Sequence, residues 1–293
     1  MAELIELDSD LIQGFEPERP EEGHKNTFGT ALICAGSEYM TGAAVMAAGA
    51  ALRSGVGLVK VFSEDKTLNA VSCNEPCAIL ELRPKGTVKL LRRAHELCKT
   101  SDAVLIGSGI PSDYEDLEAL VTAFAEEAKS LVLDAGALTL KPDAFMRIRD
   151  CLKRRTVPAV ITPHIGEFSR MTGISKDVLT ADPDDLLLEF AASVNVVTIL
   201  KSYKTVIATP DGKLFVNDAP NSGLSKGGSG DVLAGLITGL SAQGMEPHEA
   251  ACSAVFIHSK AGEAAADDLG KRSMLPTDLE FYLKDAFLEA GWD

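Results

Sequence analysis

The segment SKGGSGDVLAGLITGL, residues 225–240, sets three glycines, two serines and one aspartate ahead of an apolar run. Gly227, Gly228, Ser229 and Gly230 work against a helix begun early, whereas Val232, Leu233, Leu236, Ile237 and Leu240 fall at helical spacing. The spacing predicts a helix that begins between Gly228 and Asp231 with its first amides bare. Such a helix end carries unpaired N–H groups and a partial positive charge, and glycines let a ligand come close to the backbone. The turn from Gly227 to Gly230 therefore reads as an anion cradle.

Asp231 projects from the start of that helix. A carboxylate repels a bound phosphate, so its chemistry suits a hydroxyl better. It can accept the proton of a hydroxyl, or orient it, as that oxygen attacks a terminal phosphoryl group. The plainer reading is a first-turn aspartate that complements the helix dipole. The local sequence leaves both open.

Outward from this turn, apolar runs alternate with helix-period segments. Residues 30–36, 57–62, 102–109, 130–136, 158–164 and 196–201 read as strands, and 42–55, 113–128 and 184–194 as helices. Continuous apolar strands separated by helices imply a largely parallel sheet covered on both faces, a three-layer α/β/α fold. Residues 205–217 differ, reading as a hairpin around Asp211-Gly212. No linker, repeat or low-complexity tract interrupts the chain, and a single domain over residues 1–293 is expected. In such sheets ligands gather at the carboxyl ends of strands. There the sequence places Gly107-Ser108-Gly109, Asp134-Ala135-Gly136, Thr162 to Glu167, and Lys201-Ser202.

Composition narrows the function classes. A net charge of −15 argues against a nucleic-acid surface, which needs a basic face, but not against a nucleotide pocket served by a few local donors. No apolar stretch reaches the roughly 18 residues of a membrane span. The acidic start MAELIELDSD lacks the basic segment and apolar run of a signal peptide. The cysteines at 34, 73, 77, 98, 151 and 252 show neither metal-ligand pairing nor a disulfide framework, and Cys34 reads as a reduced core thiol. A cytoplasmic location follows as the expectation.

GGSGDVLAG resembles the glycine-glycine-threonine-glycine-aspartate signature of the ribokinase-like superfamily. HKNTFGTALICAGS (24–37), MTGAAVMAA (40–48), LDAGAL (133–138), TPHIGEFSRM (162–171) and NSGLSKGGSGDVLAG (221–235) narrow the match. In that order they resemble the ADP/ATP-dependent NAD(P)H-hydrate dehydratases, over about residues 24–260. The resemblance implies a ribokinase-like fold without the epimerase domain often fused ahead of it. It implies phosphorylation of the hydroxyl of hydrated NADH or NADPH by ADP or ATP with Mg²⁺, then elimination of phosphate. By motif match, Asp231 would meet the substrate hydroxyl, with Gly228, Ser229 and Gly230 forming the catalytic turn and Gly230 against the nucleotide phosphate. Ala43, Ala44, Gly109 and His164 would line the hydrated-cofactor site. Lys201, Ser202, Tyr203, Lys204 and Thr205 would hold the adenine nucleotide. Glu167 would reach Mg²⁺ through water or merely complement its helix dipole, and relatives imply a homotetramer.

The chain departs from the family at His24-Lys25-Asn26-Thr27, where relatives favour His-Lys-Gly-Thr, and at Gly107-Ser108-Gly109, where they favour Gly-Pro-Gly. Lys201-Ser202 stands where Lys-Gly is common, and Ser229 replaces the usual threonine. A serine in a glycine's left-handed conformation is strained, so Ser202 is expected to carry strain, and Asn26 less. A vitamin-precursor kinase of the same superfamily (hydroxymethylpyrimidine, thiazole or pyridoxal type) would share the cradle and base. A non-catalytic nucleotide-binding protein is the other alternative. His164 has its own plain reading, a strand-end histidine satisfying a backbone carbonyl.

Overall fold

Ten strands form one continuous sheet in the computed structural model, which describes residues 4–292. In chain order they are β1 (Leu4–Glu6), β2 (Thr30–Cys34), β3 (Leu58–Ser63), β4 (Ile79–Leu82), β5 (Ala103–Ile106), β6 (Ser130–Leu133), β7 (Ala159–Ile161), β8 (Val196–Leu200), β9 (Thr205–Ala208) and β10 (Leu214–Asn217). Across the sheet they run β1-β10-β9-β8-β7-β6-β5-β2-β3-β4. Only β9 opposes its neighbours, β8 and β10, and Gly212 at φ 92° turns the hairpin between β9 and β10. The mainly parallel sheet and the Asp211-Gly212 hairpin are as the sequence predicts. The edge strands β1 and β4 were not foreseen.

Alternate residues of one strand enter different layers. Ala31 and Ile33 of β2 belong to the core layer they share with the helices Thr41–Arg53, Ser229–Ala242 and Pro247–Leu269. Leu32 and Cys34 face the helices Thr87–Lys99 and Leu117–Glu127. Because both faces are covered, both sets of side chains must be apolar, which is why these strands read as unbroken hydrophobic runs. Cys34 is fully buried and unpaired.

The alanine-rich helix Thr41–Arg53 lies in the core, with Ala44, Ala47, Ala48, Ala50 and Ala51 at 0 % exposure. Its partner is the helix Ser229–Ala242, and the two backbones nearly touch. A Cβ added at Gly235 would stand 2.1 Å from the Ala47 carbonyl oxygen. Small residues on both helices allow this approach, which fixes the glycine turn against the sheet.

β2 and β5 are neighbours, yet the chain leaves β2 for β3 on one side and β5 for β6 on the other. This is a topological switch point, where parallel sheets open a crevice beyond the strand ends. Gly36 and Gly109 face each other there. Gly109 takes φ 65°, and a Cβ on it would meet Ala43 Cβ at 2.5 Å and Gly36 Cα at 3.3 Å. The Gly36 amide donates to the Ser108 carbonyl at 2.8 Å.

Candidate active site

The helix Ser229–Ala242 begins within the window its sequence predicts, with Gly228 as N-cap at φ 111° and no side-chain cap. A non-glycine residue at 228 would be strained by that φ, and its Cβ would lie 2.6 Å from the Met46 thioether. Ser229 N–H donates to Lys226 O, and Asp231 N–H to Gly228 O at 3.0 Å. The amides of Gly227, Gly228 and Gly230 have no acceptor among the described residues. Three bare N–H groups at a helix N-terminus make the electropositive turn anticipated above.

The turn opens on a cavity of about 860 Å³. Gly228, Ser229, Gly230, Asp231, His164, Glu167, Lys201, Ser202, Tyr203 and Thr205 line it together, although they come from three separate segments of the chain. Lys204 does not line it. Ala43 and Gly109 stand at the switch-point crevice, and Ala44 is fully buried beneath Gly36. A second cavity of about 330 Å³, bordered by Arg19, Arg53, Lys284 and Trp292, contains none of these groups.

Asp134, at the end of β6, is the hub of the site. It is 2 % exposed and accepts hydrogen bonds from Ser108 Oγ (2.8 Å, on Oδ2), Thr162 Oγ1 (2.7 Å, on Oδ1) and Lys201 Nζ (3.1 Å, on Oδ1). The ends of four adjacent strands, β5 to β8, thus converge on one carboxylate. A buried charge needs this number of donors. The Lys201 ammonium also reaches the glycine turn, since a Cβ on Gly230 would lie 3.2 Å from Nζ. Lys201 is itself fixed by its amide, which donates to Pro163 O at 2.9 Å. Ala135, which follows Asp134 in the chain, holds a left-handed φ of 46°.

Asp231 is half-buried, and burial pushes its carboxyl up from an ordinary 3.8 to about 6. The nearby Asp134 charge pushes the same way, while the Lys201 charge and the Ser108 hydroxyl push against it. A carboxyl titrating near neutrality is suited to taking a proton.

His164 caps the helix Ile165–Thr172: its Nδ1 accepts from the amides of Gly166 (2.9 Å) and Glu167 (3.2 Å). The ring satisfies backbone donors rather than the carbonyl considered above, and the neutral form carries its proton on Nε2. Burial holds this imidazole below its ordinary range, aided by Lys201 and opposed by Glu167. Glu167 closes the capping box by accepting from the His164 amide at 2.9 Å. Its other oxygen lies 3.6 Å from His164 Nε2. Among the described residues, no three His, Cys, Asp or Glu side chains gather as a metal cluster.

Two expectations about strain are corrected. Neither Ser202 nor Asn26 has a positive φ; among the described non-glycine residues, only Ala135 and Asn195 do. Ser202 is accommodated because its hydroxyl closes the loop, donating to Lys204 O at 2.6 Å and accepting from Lys204 N–H at 3.3 Å. Near Asn26, Thr27 N–H closes the turn on His24 O at 2.7 Å.

His258 was missed. It is buried in the helix Pro247–Leu269, and its Nε2 lies 3.0 Å from Ser229 O and 3.2 Å from Ser229 Oγ. Burial pushes its pKa down to about 4, so the ring is neutral and braces the first turn beside Asp231. Its helix mixes apolar, charged and polar residues and also carries His248, and nothing in that pattern marks either histidine as different.

The sequence profile of the NAD(P)H-hydrate dehydratase family matches residues 31–285. The chain is 34% identical over 268 residues to the ADP-dependent (S)-NAD(P)H-hydrate dehydratase of Bacillus subtilis, covering 90% of each chain. It is 35% identical over 275 residues to a bifunctional NAD(P)H-hydrate repair enzyme of Thermofilum pendens, covering 92% of this chain and 52% of that one, and so spans about half of that relative's length. The structure resembles the Bacillus subtilis ADP/ATP-dependent NAD(P)H-hydrate dehydratase co-crystallised with ATP/Mg²⁺, with a TM-score of 0.83, 32% identity and 98% of each chain covered. A ribokinase-like sheet with a bare glycine turn, a carboxylate beside it and this agreement in sequence lead to one conclusion: the chain belongs to the NAD(P)H-hydrate dehydratase family.

Proposed function

We propose that the chain uses ADP or ATP to dehydrate hydrated NADH or NADPH, restoring the reduced nicotinamide. One observation carries the reading: Asp231, with its elevated pKa, stands beside three bare amides and the Lys201 ammonium in one cavity. The amides of Gly227, Gly228 and Gly230 and Lys201 are arranged to receive phosphoryl oxygens, stabilising charge where it develops. Asp231 accepts the proton of the substrate hydroxyl as its oxygen bonds to the terminal phosphorus and the bond to the departing nucleotide breaks. The phosphorylated carbon then loses phosphate, a far better leaving group than hydroxide, and a ring proton leaves with it. The crevice between Gly36 and Gly109, bordered by Ala43, is the proposed seat of the hydrated ring, with His164 reaching it from the lining of the glycine-turn cavity once substrate spans the two.

The residues present fit a nucleotide-borne Mg²⁺, which typically keeps several waters and binds through one or two carboxylates plus substrate phosphates. Glu167 is the side chain that would hold it through water, and the ion would neutralise phosphate charge. The reading treats the chain as one catalytic domain, supported by the single sheet that runs from Leu4 to Asn217. It places the enzyme in the cytoplasm; no described helix is long and apolar enough to cross a membrane. Assembly as a homotetramer rests on the family resemblance, and light scattering tests it.

The decisive assay incubates the protein with ADP or ATP, Mg²⁺ and hydrated NADH, following the return of reduced-nicotinamide absorbance. Recovery that needs nucleotide supports the reading, and none with either nucleotide refutes it.

A further inference from the structure

Three lysines line the cavity at the glycine turn: Lys201, Lys226 and Lys271. Lys201 already shares its charge with Asp134, 3.1 Å away. Lys271 is exposed, and its side chain has no hydrogen bond or ion pair among the described residues. Lys226 stands immediately before the turn and has no carboxylate partner among them either. Its ammonium instead reaches across to residues 270–274, donating to Arg272 O at 2.9 Å and to Met274 O. Neither carbonyl has another protein donor among the described residues.

Residues 270–274 form a compact turn with Lys271 inside it. The chain leaves the helix Pro247–Leu269 through Gly270 at φ 78°, and the amides of Ser273 and Met274 return to Gly270 O at 3.1 and 3.0 Å. The turn ends on Met274, buried against Gly223, where an added Cβ would stand 2.2 Å from the thioether sulfur. Lys226 therefore joins two parts of the cavity wall: the bare amides that follow it and the turn that carries Lys271. An ammonium has three protons, so two carbonyls leave Lys226 one more to donate. A ligand that enters a wall fixed in advance has less ordering left to offset. Two cations without carboxylate partners, beside bare amides, match the several negative charges of a nucleotide's phosphates.

We propose that Lys271 is a further phosphate-binding residue for the nucleotide and that Lys226 is the positioning residue that places it, by tying residues 270–274 to the glycine turn. The inference rests on the dehydratase reading for the use of a nucleotide at this site.

The test is calorimetric titration of the full chain with ADP or ATP, whichever the wild type binds more tightly. Lys271→Met weakens binding about fivefold, the scale of one exposed ion pair, and reduces its dependence on salt. Lys226→Met weakens it at least as much. Lys226→Arg, which keeps the charge and enough donors for both carbonyls, restores most of the loss. The double variant Lys226→Met with Lys271→Met binds no more weakly than Lys226→Met alone, because the untied turn no longer presents Lys271. Lys226→Gln, which keeps an amide donor, replaces the methionine variant in this cycle if that one folds poorly. Unchanged affinity in Lys271→Met overturns the proposal, as does a double variant whose loss is the product of the two single losses. A wild type that binds neither nucleotide overturns it as well. The titration needs no turnover. Failure of the dehydratase reading alone therefore shows separately, as nucleotide binding without recovery of absorbance in the wild type.

Discussion

Replacing Asp231 by asparagine should stabilise the fold while removing most of the activity, and the pH dependence of the stabilisation identifies its cause. The carboxyl titrates at about 6 in the folded chain against an ordinary 3.8, a difference of about two units. At 1.36 kcal/mol per unit this amounts to about 3 kcal/mol. The native state binds the proton more tightly than the unfolded state, so this contribution is intact below pH 3.8 and is lost as pH rises through 6. Asparagine does not titrate in this range. The stability difference between variant and wild type should therefore be small near pH 4, grow through pH 5 to 6, and level off above about pH 7 at up to 3 kcal/mol. Unmet hydrogen bonds of the new amide reduce that ceiling.

Urea denaturation of nucleotide-free wild type and variant at half-unit pH steps provides the measurement. Turnover of hydrated NADH at pH 8, with nucleotide saturating, should fall by about 10²–10⁴-fold, the usual contribution of a general base. ADP affinity should hold or improve, because a negative charge near the phosphates has gone. A pH-independent stability difference would show that Asp231 carries no desolvation cost. Near-wild-type turnover would remove it from the chemistry.

Other outcomes follow from the same geometry. Ala135→Gly should stabilise the chain by about 1 kcal/mol in chemical denaturation, because a left-handed φ of 46° costs alanine what glycine does not pay. His258→Gln should flatten acid destabilisation. The wild-type imidazole is pushed down to about 4, so its contribution is complete above the ordinary 6.5 and is lost as pH falls from there through 4. Denaturant midpoints at pH 7 and 4.5 should therefore lie closer together in the variant. Ser202→Gly should weaken ADP binding in calorimetry, because the residue has no strain to relieve and the hydroxyl that ties it to Lys204 is lost.

The parts of the fold that were legible are those where one segment carries its own signal. β2, β3, β5, β6, β7 and β8 are covered on both faces, so each is written as a mainly apolar run, broken internally only by Lys60 in β3 and Thr198 in β8. β4 sits at the sheet edge, with Ile79, Leu80 and Leu82 all more than a third exposed, and its residues obey neither the buried nor the alternating pattern. β1 has three residues and pairs with Leu214 to Val216, a partner some two hundred positions away that no local pattern announces. The site divides in the same way. The bare turn and the polar strand ends could be read locally, but the central role of Asp134 could not. It arises because β5, β6, β7 and β8 lie side by side, so that Ser108, Thr162 and Lys201 reach one carboxylate. Ser202 failed as a prediction because a residue type was taken to fix φ, whereas the loop is closed by the serine hydroxyl itself.

Electrostatics separates the two roles open to Asp231. An aspartate placed only to complement a helix dipole is stabilised as an anion, and its pKa falls. Here the opposite holds: burial and Asp134 together outweigh Lys201, Ser108 and the backbone amide. Nor does the side chain cap the helix, whose N-cap is Gly228 and has no side-chain bond. The position is costly for a carboxylate, and a cheaper residue such as asparagine would serve the fold better. What the cost provides is a base whose proton affinity is close to neutral pH, held next to the amides that a phosphoryl group would occupy. On the proposed reading, the instability of the free site and the reactivity of the loaded one are the same electrostatic term.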